Sequence, residues 1–280
     1  AIFIGIKATV IIIVIEALIK VSRRALKEAH HWLVAGISFI AFFFFAVPFP
    51  LIIISAGIIG FSMFSRENRE IEAYYDSEII SHKRTLLTAI TWLSIWLIPL
   101  AALIAILGIE NIFVQLGLFF SKLAVVSFGG AYSVLAYMAQ EVVENYNWVN
   151  ASEMLDGLGL AETTNGPLIL VNEFIGYLAA YRLSAESPLI SGLIGALITL
   201  WVTFTPCFLW IFVGAPYIAI IQKNPRLIGA LNGITAAVVG VILNLTVWFG
   251  LHVFFEKVTK TAFGPLTIWT PELSTIHLAT

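Results

Sequence analysis

Long apolar runs decide what this chain can fold into. Residues 86–107, 188–206 and 227–255 are each long enough, as α-helices, to cross the roughly 30 Å hydrocarbon core of a bilayer. Of all residues, 60% are hydrophobic and only 11% are charged, which excludes a water-soluble fold. The sequence therefore predicts an all-α polytopic membrane protein whose surroundings are the lipid bilayer.

The few charged and metal-ligating residues narrow the range of possible functions. Basic residues gather in short loops, including Arg23, Arg24, Arg66 and Arg69, as the positive-inside rule describes. A net charge of −2 gives no reason to expect a nucleic-acid partner. The single cysteine, Cys207, excludes an intrachain disulfide and any multi-cysteine metal site, and the five histidines are scattered. We expect neither a metal nor a cofactor.

A polar linker divides the sequence into two parts. Residues 65–85 form the only long polar segment, so we interpret 1–64 as the end of an N-terminal half and 86–280 as a C-terminal half. Residues 5–10 (GIKATV) match residues 233–238 (GITAAV), and the flanking basic residues place the two copies in opposite directions across the membrane. This pattern predicts an inverted-repeat transporter. The offset between the copies leads us to expect a longer parent protein, of which this chain is a portion.

Two glycine-containing breaks interrupt the apolar sequence, at residues 128–132 (FGGAY) and 162–168 (ETTNGPL). Irregular backbone at membrane depth is tolerated only where it is buried in protein or lines a water-filled cavity. We predict discontinuous helices that resume near Ala131 and near Gly166, with Asn165 as an N-cap and Pro167 in the first turn. Two such helix starts would bind an anion through their free N–H groups. The alternative is that both breaks only kink helices for packing.

Three charged residues near the breaks are candidates for function. Lys122 either attracts an anionic substrate or has a structural role, by snorkelling or by pairing with Glu162. Glu162 and Glu173 are candidate proton-coupling residues, because burial raises the pKa of a carboxylate, or they make structural hydrogen bonds or ion pairs. The residues predicted to bind the anion are Lys122, Ser127, Gly129, Gly130, Ala131, Tyr132, Thr163, Thr164, Asn165 and Gly166.

Several helix boundaries are also predicted. We expect an interruption at Pro48-Phe49-Pro50, an amphipathic helix over 133–144, and a helix capped by Asn150 or Ser152. Pro206 is expected to separate a span at 188–206 from another at 207–221.

Several motifs closely resemble those of the chromate ion transporter family. They are residues 119–122 (FFSK), 127–132 (SFGGAY), 156–164 (DGLGLAETT) and 201–210 (WVTFTPCFLW). The resemblance implies a multi-pass transporter of the bacterial inner membrane, built of two homologous halves in opposite orientation, that exports chromate with sulfate as a competitor. The family pattern has proline where Asn165 stands and usually glutamine where Glu173 stands.

The prediction that follows is a transporter of tetrahedral oxyanions, with chromate efflux driven by the proton-motive force. The alternatives are a transporter of sulfate or another oxyanion, a passive anion channel and a structural membrane subunit. We do not expect an enzyme, because an intramembrane aspartyl protease needs paired aspartates and this chain has only Asp76 and Asp156. Two half-length chains forming a homodimer would use the same motifs as one long chain, so a homodimer stays open.

Overall fold

The computed structural model describes residues 2–63, 82–127, 131–161, 167–184, 187–255, 257–264 and 266–275. Helices make up most of this part of the chain, and a two-stranded hairpin follows them. The helices are α1 (Ile2–Ala25), α2 (Ala29–Phe45), α3 (Phe49–Met63), α4 (His82–Leu107), α5 (Ile112–Val126), α6 (Ala131–Gln140), α7 (Ala151–Ala161), α8 (Pro167–Leu183), α9 (Pro188–Gly214), α10 (Ile218–Lys223) and α11 (Pro225–Phe254). The strands are β1 (Val258–Phe263) and β2 (Leu266–Pro271).

Among the described residues, three segments are long and apolar enough to cross a membrane: His82–Leu107, Pro188–Tyr217 and Pro225–Phe254. Large apolar side chains on them face outward, since Ile98 is 65% exposed and Leu197 is 66% exposed. Such surface is stable against lipid and unfavourable against water. The predicted class, an all-α multi-pass membrane protein, is confirmed.

Helix α9 corrects one expected boundary. It runs without interruption from Pro188 to Gly214 through Pro206, so the predicted division at that proline is wrong. An interior proline removes one backbone hydrogen bond, and membrane helices tolerate this where nearby side chains bond the local carbonyls. Here the Thr205 hydroxyl donates to the Trp201 carbonyl at 2.7 Å, and the Cys207 thiol donates to the Thr203 carbonyl at 3.2 Å.

The described helices belong to two compact units, each made of separate chain segments. Unit 1 contains residues 1–65, 127–168 and 228–280, and unit 2 contains residues 66–126 and 169–227. The chain therefore changes unit at Ser127, next to the first predicted break, and after Leu168, at the end of the second. The division into halves 1–64 and 86–280, with the linker 65–85 between them, stays a prediction.

In unit 1, α3 packs closely against α11. Gly60 lies against Gly229, and Ala56 lies against Gly233, so the two helices run antiparallel. Small residues let membrane helices approach until their backbones touch, which increases van der Waals contact. The predicted interruption before α3 is confirmed, because α2 ends at Phe45 and the next residue, Ala46, adopts the left-handed conformation with φ 48°.

Helix α6 lies in the core of unit 1. None of the six residues from Val134 to Ala139 is more than 3% exposed, and the Tyr137 ring stacks on Phe49 with ring centroids 5.4 Å apart. The expected amphipathic pattern over 133–144 is therefore wrong for residues 134–139, which are buried on every side of the helix. It continues into a π-helix at Glu141–Asn145.

In unit 2, α4 and α5 both pack against α9. Helix α8 crosses α9 at a pair of glycines, where a Cβ atom on Gly195 would lie 2.5 Å from the Gly176 carbonyl oxygen. A buried hydrogen bond joins α4 to α5, since Trp96 Nε1 donates to Ser121 Oγ at 3.0 Å. Close backbone approach and one buried polar bond thus fix the helices that carry Lys122 and Glu173.

The hairpin of β1 and β2 was not predicted. Its strands are antiparallel, with Lys260 opposite Trp269, and Gly264 in the turn has φ 61°. Strand β2 contacts α2 in unit 1. The hairpin therefore covers part of the helical core at the end of α11.

Candidate functional site

The first predicted break is a real interruption between two helices. Helix α5 ends at Val126, and the described part of α6 runs from Ala131, so the expected helix start near Ala131 stays a prediction. Ser127 and Tyr132 are both half-buried at the two sides of the break. Gly129 and Gly130 lie outside the described residues. The first turn of α6 leaves backbone N–H groups without intrahelical partners, as at any helix N-terminus.

The second break separates α7 from α8. The described part of α7 runs to Ala161 and that of α8 runs from Pro167, so the predicted helix start near Gly166 stays a prediction. Proline suits this position because its missing N–H is one that the first turn would leave unpaired. The residues of the break itself, Glu162, Thr163, Thr164, Asn165 and Gly166, lie outside the described residues.

A capping box fixes the start of α7. The Asn150 side chain accepts a hydrogen bond from the Glu153 N–H at 2.9 Å, and the Glu153 carboxylate accepts one from the Asn150 N–H at 3.0 Å. This reciprocal pair satisfies two backbone donors that the helix start would otherwise leave open. Of the two predicted caps, Asn150 is the one that the structure confirms.

Lys122 lies in the last turns of α5 and is exposed, whereas Ser121 and Leu123 beside it are buried. The Trp96 bond turns Ser121 toward α4. Successive side chains of an α-helix are about 100° apart, so Lys122 occupies a different face of α5.

Glu173 is half-buried on α8, next to the fully buried Asn172. The Asn172 amide donates to Thr203 Oγ1 at 3.4 Å, while its Oδ1 has no hydrogen-bond partner among the described residues. Thr203 in turn donates to the Thr199 carbonyl at 2.7 Å. A short polar track therefore joins α8 to the buried face of α9, beside the candidate proton-coupling carboxylate.

The predicted site residues fall into three groups. Ser127, Ala131 and Tyr132 belong to unit 1, and Lys122 and Glu173 belong to unit 2. The remaining residues lie in the two breaks, outside the described part of the chain. Their assembly into one anion site stays a prediction.

Sequence reasoning missed a small cavity within unit 1. It lies between α2, α6, α11 and the hairpin. Aromatic rings from Phe42, Trp248 and Trp269 form part of its wall. Its polar lining residues are Gln140, Glu144, Asn244, Lys260 and Thr267.

An ion pair between Glu144 and Lys260 lies at this cavity. The Glu144 side chain is 13% exposed and the Lys260 side chain is 38% exposed. The carboxylate stands in the π-helix, outside the three candidate spans, and π-helical turns are frequent at functional sites. Burial raises the pKa of Glu144 from its ordinary value, and the bond to Lys260 opposes that rise.

Comparison with known proteins identifies the family. The family model of chromate transporters matches residues 114–279. The chain belongs to the chromate transporter family. The matched region includes both helix starts, Lys122, Glu173 and the Glu144–Lys260 pair. No solved structure matches the chain.

Named relatives agree with this family. A chromate transport protein of Cupriavidus metallidurans is 34% identical over 128 residues, which are 46% of this chain and 29% of the relative. A probable chromate transport protein of Synechococcus elongatus is 30% identical over 154 residues, 55% of this chain and 36% of the relative. A chromate transport protein of Pseudomonas aeruginosa is 25% identical over 273 residues, 94% of this chain and 58% of the relative. The matches thus span between about a third and three fifths of the relatives' length.

The missed ion pair had only a weak signal in the sequence. Glu144 follows a strongly apolar stretch, and Lys260 lies in a short polar segment after the last span. The two residues are 116 positions apart. Since neither periodicity nor motif spacing reports contacts at that separation, the pair could be found only from the fold of unit 1.

Proposed function

We propose that this member of the chromate transporter family carries tetrahedral oxyanions across the bacterial inner membrane, with chromate efflux as its activity. The family match, which extends over both broken-helix motifs, is the observation that carries this proposal. Transporters of discontinuous-helix type bind anions at half-helix N-termini near the midplane. The described parts of α6 and α8 run from Ala131 and Pro167, next to the two breaks, which supports this proposal.

The substrate would be held by backbone N–H groups and by a few side chains. N–H groups near Gly129, Gly130 and Ala131 would bind one side of the oxyanion, and those near Asn165 and Gly166 the other. Hydroxyl groups of Ser127, Tyr132, Thr163 and Thr164 would add donors. Lys122 would attract the dianion, which is consistent with its exposure on α5.

The proton-motive force would drive transport through a titrating carboxylate. Glu162 precedes the second break, and Glu173 lies two turns into α8. A carboxylate beside a bound oxyanion must be neutral or paired, so its proton would be taken up or released as the substrate moves. Flux that keeps its dependence on the pH gradient in a Glu162→Gln/Glu173→Gln variant would contradict this role.

Sulfate transport and a passive anion channel are the competing functions. Sulfate has the charge and shape of chromate, so the same donors would bind both. A channel would only equilibrate its ion, whereas a coupled transporter accumulates it against a gradient. A homodimer would supply two copies of the motifs, and the oligomeric state of the full-length protein would test it.

The test of the binding site compares two lysines in the full-length protein. We expect Lys122→Ala to abolish uptake of labelled chromate by inside-out vesicles, because the substrate loses its cation. Lys83→Ala, which removes an exposed lysine at the start of α4, is the matched control and should keep wild-type uptake. Equal uptake by the two variants would remove Lys122 from the site.

A further inference from the structure

We propose that the cavity beside Lys260 is a second oxyanion site, in which the Glu144 carboxylate occupies the place of a bound oxyanion and competes with it for the Lys260 ammonium. The class of anion rests on the proposed function. The site itself rests on the contacts within unit 1. It is separate from the helix starts at Ala131 and Pro167.

The groups around the Glu144 carboxylate are those that bind an oxyanion. Lys260 Nζ pairs with one carboxylate oxygen. Trp248 is 5% exposed, and its indole favours the charged form of the Glu144 carboxylate. Among the described residues, neither Trp248 Nε1 nor Glu144 Oε1 has a partner in good hydrogen-bond geometry. Two buried polar atoms therefore lie at the cavity with unused bonding capacity, which native structures rarely leave unfilled.

The other polar lining residues add donors. The amides of Gln140 and Asn244 and the hydroxyl of Thr267 all line the cavity. These groups, together with Lys260 and Trp248, can all donate hydrogen bonds. Among these lining residues, the charged Glu144 alone accepts hydrogen bonds and donates none. An oxyanion that enters the cavity meets the same donors once Glu144 releases Lys260.

An aromatic ring also contacts the Lys260 ammonium. The Trp269 ring lies 5.3 Å from Lys260 Nζ, and the Trp248 ring lies 4.1 Å from His252 between ring centroids. The Trp269 ring is within cation–π distance of the ammonium. Lys260 is thus held at the cavity by contacts that do not depend on Glu144.

Competition for Lys260 links anion binding to a proton. When Glu144 takes up a proton from solution, its carboxyl group becomes neutral and the ion pair with Lys260 is lost. The oxyanion then pairs with Lys260, which stays charged. Among the described residues, Glu141 in the same π-helix is the other charged group that acts on Glu144, and its charge raises the pKa of Glu144. The pKa of Glu144 is raised by burial, which favours this uptake.

The experiment measures binding of labelled sulfate to the purified full-length protein carrying Lys122→Ala, which silences the first proposed site. Sulfate is used because it stays a dianion over the pH range of the assay, about pH 5 to 8. It is also not an oxidant. We expect the affinity to rise as pH falls, by up to roughly tenfold per pH unit, because one proton enters with each anion. Lys260→Met should abolish binding, and Lys257→Met on the same hairpin should leave it unchanged.

The Glu144→Gln variant decides the linkage. Glutamine cannot take up the proton, so sulfate binding should be at least as tight as in the parent and independent of pH. Sulfate binding that still depends on pH in Glu144→Gln would overturn the proposal, and so would unchanged sulfate binding in Lys260→Met. If Lys260→Met does not fold, the pH profile of Glu144→Gln alone carries the decision.

The outcomes separate this site from the proposed function. Absence of chromate and sulfate flux in wild-type vesicles, together with pH-linked sulfate binding at Lys260, would overturn the transport function and keep the site. Normal flux with binding that ignores Lys260 and Glu144 would keep the function and overturn the site.

Discussion

A Cβ atom on Gly60 would lie 2.3 Å from the carbonyl oxygen of Gly229. The backbones of α3 and α11 therefore touch at this point, with no room for a side chain between them. In a membrane the hydrophobic effect does not drive helices together, so this close packing is a main source of their association. The contact fixes α3 on the helix that also carries Asn244 and Trp248.

Gly60→Ala tests this contact. We expect it to destabilise the protein by about 1–3 kcal/mol, as overpacking of a tight interface does. Gly36→Ala on α2 is the control, because nothing lies within 4 Å of the Cβ position there. Thermal unfolding in detergent, followed by size-exclusion chromatography, measures both. Equal melting temperatures for the two variants would contradict the close approach of α3 to α11.

Ser121→Ala tests the polar bond between α4 and α5. Trp96 Nε1 would lose its acceptor while remaining buried, at a cost of about 1–3 kcal/mol. Ser62→Ala is the comparison, because the Ser62 hydroxyl is exposed and bonds only carbonyls of its own helix. The same thermal assay should show a lower melting temperature for Ser121→Ala alone. An equal drop in melting temperature for Ser62→Ala would mean that the buried Trp96–Ser121 hydrogen bond makes no specific contribution to stability.

Asn150→Ala tests the start of α7. Loss of the cap should cost about 1 kcal/mol and speed hydrogen exchange at the first-turn amides, including that of Glu153. Asn150→Asp keeps an acceptor at the same position and should behave like the wild type. If alanine and aspartate gave the same exchange rates, the capping box would have no role in holding this helix.

Local signals in the sequence were sufficient for much of the fold. Glycine and proline located the end of α5 and the interruption between α2 and α3, because these residues act on the backbone directly. Pro206 misled because the effect of a proline depends on its neighbours, and the hydroxyl and thiol donors around it bond carbonyls in that turn. The pattern over 133–144 also misled, since residues 134–139 are buried on every side and the polar residues near its end lie in a π-helix.

The candidate site was only partly predictable. Lys122 and Glu173 stood out because an isolated charge within apolar sequence costs free energy in the membrane, which makes such a residue a candidate for function. The Glu144–Lys260 pair did not, because each residue lies near a polar segment where a charge needs no explanation. Only the pairing of the hairpin with the end of α6 makes Glu144 a buried carboxylate.

The raised pKa of Glu144 predicts a pH effect on stability. Its folded-state pKa lies above the ordinary value of 4.5. The folded protein therefore binds this proton more tightly than the unfolded chain does, and the associated stability is lost as pH rises from that value through the folded pKa. Melting temperatures measured across this window should fall less in Glu144→Gln than in the wild type. Parallel profiles would show that Glu144 does not titrate with a raised pKa.

The most direct measurement is the accumulation of labelled chromate by inside-out vesicles containing the full-length protein, with and without an imposed pH gradient. A proton-coupled oxyanion transporter should accumulate chromate above equilibrium only when the gradient is present, and excess sulfate should inhibit it. Chromate that merely equilibrates, or does not enter at all, would contradict coupled oxyanion transport by this member of the family.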